Sequence, residues 1–182
     1  MDSPLTVIED LIGNAKASRS LVVVGIGGCG GAGKSTLAAA LSGGSHSAQV
    51  VATDSFWDGS QFDLERLRSD VLDVVLGGET AFFETWDWAT RRAGPERQVD
   101  PHGVVVIEGV CALHEMFRSD EQVRVWVDAP ADVRLARGVS RDGEASRSMW
   151  TDVWMPNEDA YVRRDDPIIC AQIIVDGTRP FL

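Results

Sequence analysis

Gly28-Cys29-Gly30-Gly31-Ala32-Gly33-Lys34-Ser35 fits G-x-x-x-x-G-K-S, the P-loop pattern that cradles phosphate groups. The glycines let backbone N–H groups turn inward around phosphate oxygens, where side chains would block the approach. The flanks agree with the pattern. Leu21-Val22-Val23-Val24-Gly25-Ile26 reads as a buried strand, and Lys34 to Leu41 as a helix whose dipole adds positive potential at its start. Lys34 is expected to reach the outer phosphates, and the Ser35 hydroxyl to ligate Mg²⁺. The same stretch offers Gly25-Ile26-Gly27-Gly28-Cys29-Gly30, which fits the dinucleotide fingerprint G-x-G-x-x-G. That pattern leaves Gly33-Lys34-Ser35 unexplained.

Three acids stand at or just beyond predicted strands, where open α/β sheets gather their ligands. Asp54 follows Gln49–Ala52, Glu108 ends Val104–Ile107, and Asp128 ends Val123–Val127. Asp54 is the candidate general base for moving a phosphoryl group onto an alcohol, because such a transfer needs a group that orients the hydroxyl and accepts its proton. Glu108 is the candidate for holding Mg²⁺, through water, since this ion keeps much of its hydration shell. Asp128 reads as structural. Arg134, Arg137, Arg141 and Arg147 form a second group, and the first three share a face if helical. Such a flap could close over phosphates and exclude water; the alternative is a solvated helix paired with Asp132, Asp142 and Glu144. Aromatics crowd residues 56–88, with Trp57 or Trp86 as candidates for a flat slot.

The elements that must position these residues follow from periodicity. Thr6 to Ser18 and Asp63 to Leu76 carry apolar residues at helical spacing. Residues 81–88 could be a strand or an irregular edge, and residues 90–102 read as a loop. A helix starts near Ala131, Met149 to Arg164 looks helical despite Pro156, and Ile173-Ile174-Val175 is a last short strand. Strands alternate with helices and several are apolar throughout, the signature of a parallel sheet covered on both faces. At 182 residues, with 44% hydrophobic and 25% charged residues, the chain fits one soluble domain, and no apolar run approaches the roughly 18 residues of a membrane span. The acidic start Met1-Asp2 lacks the character of a signal peptide, which makes the cytoplasm the expected compartment. A net charge of −11 argues against nucleic acid as partner but not against a nucleotide. Cys29, Cys111 and Cys170 are too few for a disulfide framework, and His46, His102 and His114 lack metal-ligand spacing.

Taken in order, the P-loop, Thr53-Asp54-Ser55-Phe56-Trp57, Phe62-Asp63, Trp86-Asp87-Trp88, Val106-Ile107-Glu108-Gly109-Val110 and Arg134-Leu135-Ala136-Arg137 leading to Arg141-Asp142 resemble the uridine kinase branch of the P-loop kinases, over residues 21–176. The resemblance implies a P-loop NTPase three-layer α/β sandwich: a mostly parallel five-stranded sheet, helices on both faces, and an arginine-bearing lid near residues 137–150 within a single domain, 1–182. It implies ATP and Mg²⁺ as cofactors, with Asp54, Lys34 and Arg141 catalytic. Gly28, Gly30, Gly31, Ala32, Gly33, Lys34, Ser35, Thr36 and Arg137 would surround the nucleotide. Ser35 and Glu108 would serve the metal, and Phe56, Trp86 and Arg91 the acceptor. The expected partner is a small-molecule acceptor, with no nucleic acid and no membrane; family members are often oligomers, so a homo-oligomer is also an expected state. The chain departs from the family at Ser60, where a sugar-reading carboxylate is usual, at Gly138 in place of a basic lid residue, at Ala171-Gln172, and at Trp86 in place of a tyrosine. A sugar, vitamin precursor or antibiotic therefore stands beside uridine and cytidine as acceptor. A regulatory ATPase is the competing class, though the guanine motif N-K-x-D is missing.

Overall fold

The computed structural model describes residues 3–181, so the acidic start Met1-Asp2 lies outside the described residues. Ser3 caps the first helix, α1 (Pro4–Lys16), its Oγ accepting from the Thr6 N–H at 3.2 Å. Strand β1 (Leu21–Gly27) leads through the P-loop into α2 (Lys34–Gly43), and β2 (Gln49–Ala52) turns at once into a 3₁₀ segment, Thr53–Phe56. Asp63 caps α3 (Leu64–Leu67), which passes through a π-helical turn, Arg68–Leu72, into α4 (Asp73–Leu76). Strands β3 (Ala81–Asp87), β4 (Arg92–Val99) and β5 (Gly103–Glu108) follow, then α5 (Glu115–Arg118) and β6 (Glu121–Asp128). The chain ends with α6 (Ala131–Asp142), α7 (Arg147–Met149), a second π-helical turn at Trp150–Trp154, α8 (Met155–Asp165) and β7 (Ile173–Asp176).

Five strands form one sheet in the order β2-β5-β1-β6-β7, every pair parallel. Alternation along each strand divides the core. Val22, Val24 and Ile26 of β1 join Val104 and Val106 of β5 on the side covered by α1 and α2 through Ile8, Ile12, Leu37 and Leu41. Val23, Val105 and Ile107 face the other way, against Leu67, Val71, Leu72 and Phe117. Each such side chain, fully buried, contributes about 1.5–3 kcal/mol relative to exposure, so both faces must be covered at once. The result is the three-layer α/β arrangement implied by the sequence. It places the carboxyl ends of β1, β2, β5 and β6 along one edge.

One expectation is corrected. Residues 92–99, read as loop, form β4, paired antiparallel with β3 apart from the main sheet. Asp87 sets the turn: its Oδ1 accepts from the Ala89 and Thr90 N–H groups at 2.9 and 3.2 Å, and its carbonyl accepts from the Arg91 N–H at 2.8 Å. Most of β4 is exposed, so it shows no apolar alternation, and Pro95 falls where the pairing register slips. The helix expected over residues 63–76 is present and takes one π turn, Arg68–Leu72, without leaving helical backbone. Pro156 does not break the helix expected over Met149 to Arg164; it falls directly after the π turn Trp150–Trp154, which runs into α8 with helical backbone.

The competing dinucleotide fingerprint also finds its explanation here. A Cβ on Gly25 would collide with the Glu121 carboxylate and Leu113, and one on Gly27 with Leu113 and Trp126. Both glycines serve packing between strands. Glu121 is 3% exposed and neither carboxylate oxygen has a hydrogen-bond partner. Burial raises its pKa from 4.5 to about 8, against the pull of Arg124 and Arg118. Between those values the folded chain keeps the proton and the unfolded chain has lost it. Stability therefore falls as pH rises through this window, by up to about 1.4 kcal/mol per pH unit from this group. Urea denaturation at pH 5 and pH 8.5 should show Glu121→Gln losing less stability than the parent across that interval; equal losses would contradict the assignment.

Candidate active site

The P-loop leaves the carboxyl end of β1, between β5 and β6. Gly31 and Gly33 take left-handed backbone, with φ of 75° and 112°, which lets the loop wrap before α2 begins. No side chain caps α2 and no acidic residue enters its first turn, so its first N–H groups are left for an anion. Lys34 is 8% exposed, and its Nζ donates to the Cys29 carbonyl at 3.0 Å, across the loop. Burial pushes the Cys29 thiol up to about 11 and that of Cys111 to about 12, so neither is a ready thiolate.

Oxygens gather beside this loop. The Ser35 hydroxyl donates to Glu108 Oε1 at 3.1 Å. Glu108, 8% exposed at the end of β5, has its pKa raised chiefly by burial; Asp54 pushes the same way, while Lys34 and Ser35 oppose. Asp54 follows β2 in the 3₁₀ segment. Its surface is open to solvent, while the protein packed around the 3₁₀ segment still desolvates the carboxylate in part. That desolvation raises its pKa against Lys34 and Arg141, whose charges both reach it. One lysine, one arginine, a hydroxyl and two carboxylates thus share a single patch at the sheet edge.

The four arginines divide. Arg134 is not a lid residue: at 8% exposure it donates to Glu158 Oε2 at 3.2 Å and to the Ala129 carbonyl at 3.2 Å. The same Glu158 accepts from the Gly30 N–H at 2.9 Å, tying the P-loop to α6 and α8. Arg137 donates to the carbonyls of Gly31 and Gly177 at 3.1 and 2.9 Å, on the backbone side of the loop. Arg141 is paired with Asp142 at 2.7 Å, and Arg147 with Glu144 on the surface.

Two of the aromatics, Trp57 and Trp86, line a cavity of about 180 Å³ together with Asp58, Arg66, Glu84, Thr85 and Ala93. Trp57 packs against Phe62 and Trp88, with centroids 5.2 and 5.4 Å apart, and Trp86 Nε1 is buried without a partner. Phe56, expected at the acceptor, is fully buried: it stacks on Phe83 at 5.0 Å, beneath the Arg66 guanidinium. Arg91 stands exposed at the hairpin tip and is not among the lining residues; Arg66 is the arginine there, donating to the carbonyls of Ser55 and Glu84 at 3.2 and 3.3 Å. Its only sequence signal is its place one helical turn after the Asp63 cap.

A family model described as AAA domain matches residues 24–162. The chain belongs to that P-loop family. It is 29% identical over 144 residues to a uridine kinase of Brevibacillus brevis, covering 68% of this chain and 67% of that one. Uridine kinase-like protein 3 of Arabidopsis thaliana is 29% identical over 142 residues, covering 66% of this chain, which spans only 30% of that protein's length. In structure the chain is similar to a possible uridine kinase from Bacillus stearothermophilus, with a TM-score of 0.67 at 20% identity, covering 93% of this chain and 97% of the other. These likenesses match the resemblance read from the motifs. Among the described residues no helix is long and apolar enough to cross a membrane.

The Arg134–Glu158 pair yields a stability test. Arg134→Met leaves a buried carboxylate without its partner and should cost about 3–5 kcal/mol in urea denaturation. Adding Glu158→Gln keeps an acceptor for the Gly30 N–H while removing the charge, and should restore much of that loss. A double variant no more stable than Arg134→Met would contradict the pairing.

Proposed function

We propose that this chain is a kinase that transfers the γ-phosphoryl group of ATP to a hydroxyl of a small-molecule acceptor, a nucleoside of the uridine or cytidine kind first among them. The observation that carries this reading is the convergence of Lys34, Ser35, Glu108, Asp54 and Arg141 at the carboxyl edge of the sheet, beside an aromatic-walled cavity. The kinase relatives support it. The residues present also suit Mg²⁺: the Ser35 hydroxyl and Glu108 carboxylate are hard oxygen donors, and the mutual repulsion of Glu108 and Asp54 is of the kind a cation relieves. When bound, that ion would neutralise phosphate charge.

Each residue then has a task. The P-loop amides and Lys34 hold the phosphates, while Asp54 accepts a hydrogen bond from the acceptor hydroxyl and orients it in line. As the acceptor oxygen bonds to the γ-phosphorus, the bond to the β–γ bridging oxygen breaks, ADP leaves, and the hydroxyl proton passes to Asp54. Its raised pKa brings this base closer to neutral pH. Arg141 balances the charge of the transferred group, with the segment 137–150 acting as a lid of the same unit.

One detail favours a polyhydroxyl acceptor such as a nucleoside. Ser60 stands where the family has a carboxylate, but its N–H and Oγ donate to Asp58 Oδ1 at 2.7 and 2.8 Å, and Asp58 itself lines the cavity. Hydrogen bonds from Gln61 and Ser60 lower its pKa and keep it ionised. Asp58 would supply the missing carboxylate from two positions earlier in the loop. ADP release from Mg·ATP across nucleosides, sugars and other alcohols should need an acceptor. Asp54→Asn should abolish release with nucleotide affinity nearly unchanged, and Asp58→Asn should raise the acceptor KM about tenfold or more. ADP formed equally without acceptor would favour a regulatory ATPase.

A further inference from the structure

Helix α6 carries Gly138 in its interior, where glycine weakens a helix. The reason lies opposite. A Cβ on Gly138 would run into the Trp150 indole, and one on Gly30 of the P-loop would meet the far edge of the same ring at 2.9 and 3.0 Å. The indole is thus held between the phosphate loop and α6, 2% exposed, with Trp154 packed edge-on at 5.2 Å. Its polar atom is also used: Nε1 donates to Asp142 Oδ2 at 3.0 Å. The same carboxylate accepts from Arg141 through Nε at 2.7 Å and Nη2 at 3.0 Å, and the guanidinium stands over the indole at 5.7 Å. Most of the Arg141 side chain is otherwise in solvent.

We propose that Trp150 is a positioning residue for Arg141. Wedged between Gly30 and Gly138, it orients Asp142, and Asp142 with the indole face aims the guanidinium at the outermost phosphate over the P-loop. A long arginine without this clamp would have many rotamers to lose on binding. The wedge also explains why the basic lid residue of related kinases is absent: at Gly138 any side chain would displace the indole. This inference rests on the reading that the P-loop holds a nucleoside triphosphate with Arg141 facing its end.

Calorimetric titration of Mg·ATP and Mg·ADP needs no acceptor and reads this directly. In the full chain Trp150→Phe keeps the apolar wedge and loses the N–H donor. It should lower ATP affinity about tenfold, the size of one hydrogen bond to a charged group, while leaving ADP affinity unchanged. Arg141→Ala should do the same, and the double variant should be no worse than either single variant. Equal weakening of both nucleotides, or additive losses in the double variant, would overturn the positioning role. A parent chain that binds neither nucleotide would instead defeat the underlying functional reading, and this inference with it. Gly138→Ala gives a second approach. Such a change ordinarily stabilises a helix, but here it should lower Tm and erode the preference for ATP; a higher Tm with that preference intact would overturn the wedge.

Discussion

A buried carboxylate decides where the phosphate loop sits. Glu158 of α8 accepts from the Gly30 amide and from Arg134 of α6, so three chain segments distant in sequence meet at one charged group. Burying that charge is costly unless its lone pairs are filled, and here each oxygen has a donor. Burial raises the Glu158 pKa, while the Gly30 amide, Lys34 and Arg134 act in the opposite direction. The loop is therefore shaped from outside by α6 and α8 and from below by the sheet, while the uncapped start of α2 is left for a ligand.

From this node the rest of the site follows by topology. Because β1 lies between β5 and β6, the P-loop emerges flanked by the carboxyl ends of its neighbours, with β2 one strand further out. Glu108 reaches Ser35 directly, and Asp54 lies within the fields of Lys34 and Arg141. The β3–β4 hairpin stands outside the main sheet and brings Trp86 and Glu84 to face Trp57 and Asp58. On the proposed function, phosphate chemistry would sit on the sheet edge and the acceptor on an appended hairpin. An arrangement of this kind would let acceptor choice vary while the transfer machinery stays fixed.

Much of this was legible in the sequence because it depends on local spacing. The P-loop, the acids at strand ends and the apolar strands all declare themselves within a few residues. What escaped depends on contacts between distant segments. Gly25 and Gly27 look like ligand glycines until Glu121, Leu113 and Trp126 are seen to fill the space above them. Arg134 looks like a lid arginine and is buried, because Glu158 lies 24 residues away on another helix. Phe56 shares a motif with Asp54 yet points into the core, since the 3₁₀ turn sends neighbouring side chains in different directions. Strand β4 carries no apolar alternation because, Val99 at its end apart, it faces solvent, and its pairing with β3 defines it. The Gly138–Trp150 contact is hidden in a stretch whose composition reads as a polar flap.

On the proposed function the γ-phosphoryl group passes to an alcohol and not to water. The fate of the γ-phosphorus can be followed by ³¹P NMR, with Mg·ATP and each acceptor in turn. With the right acceptor, a phosphomonoester resonance should grow in step with ADP while inorganic phosphate stays at background. Inorganic phosphate as the sole product, at a rate indifferent to every acceptor, would contradict that function.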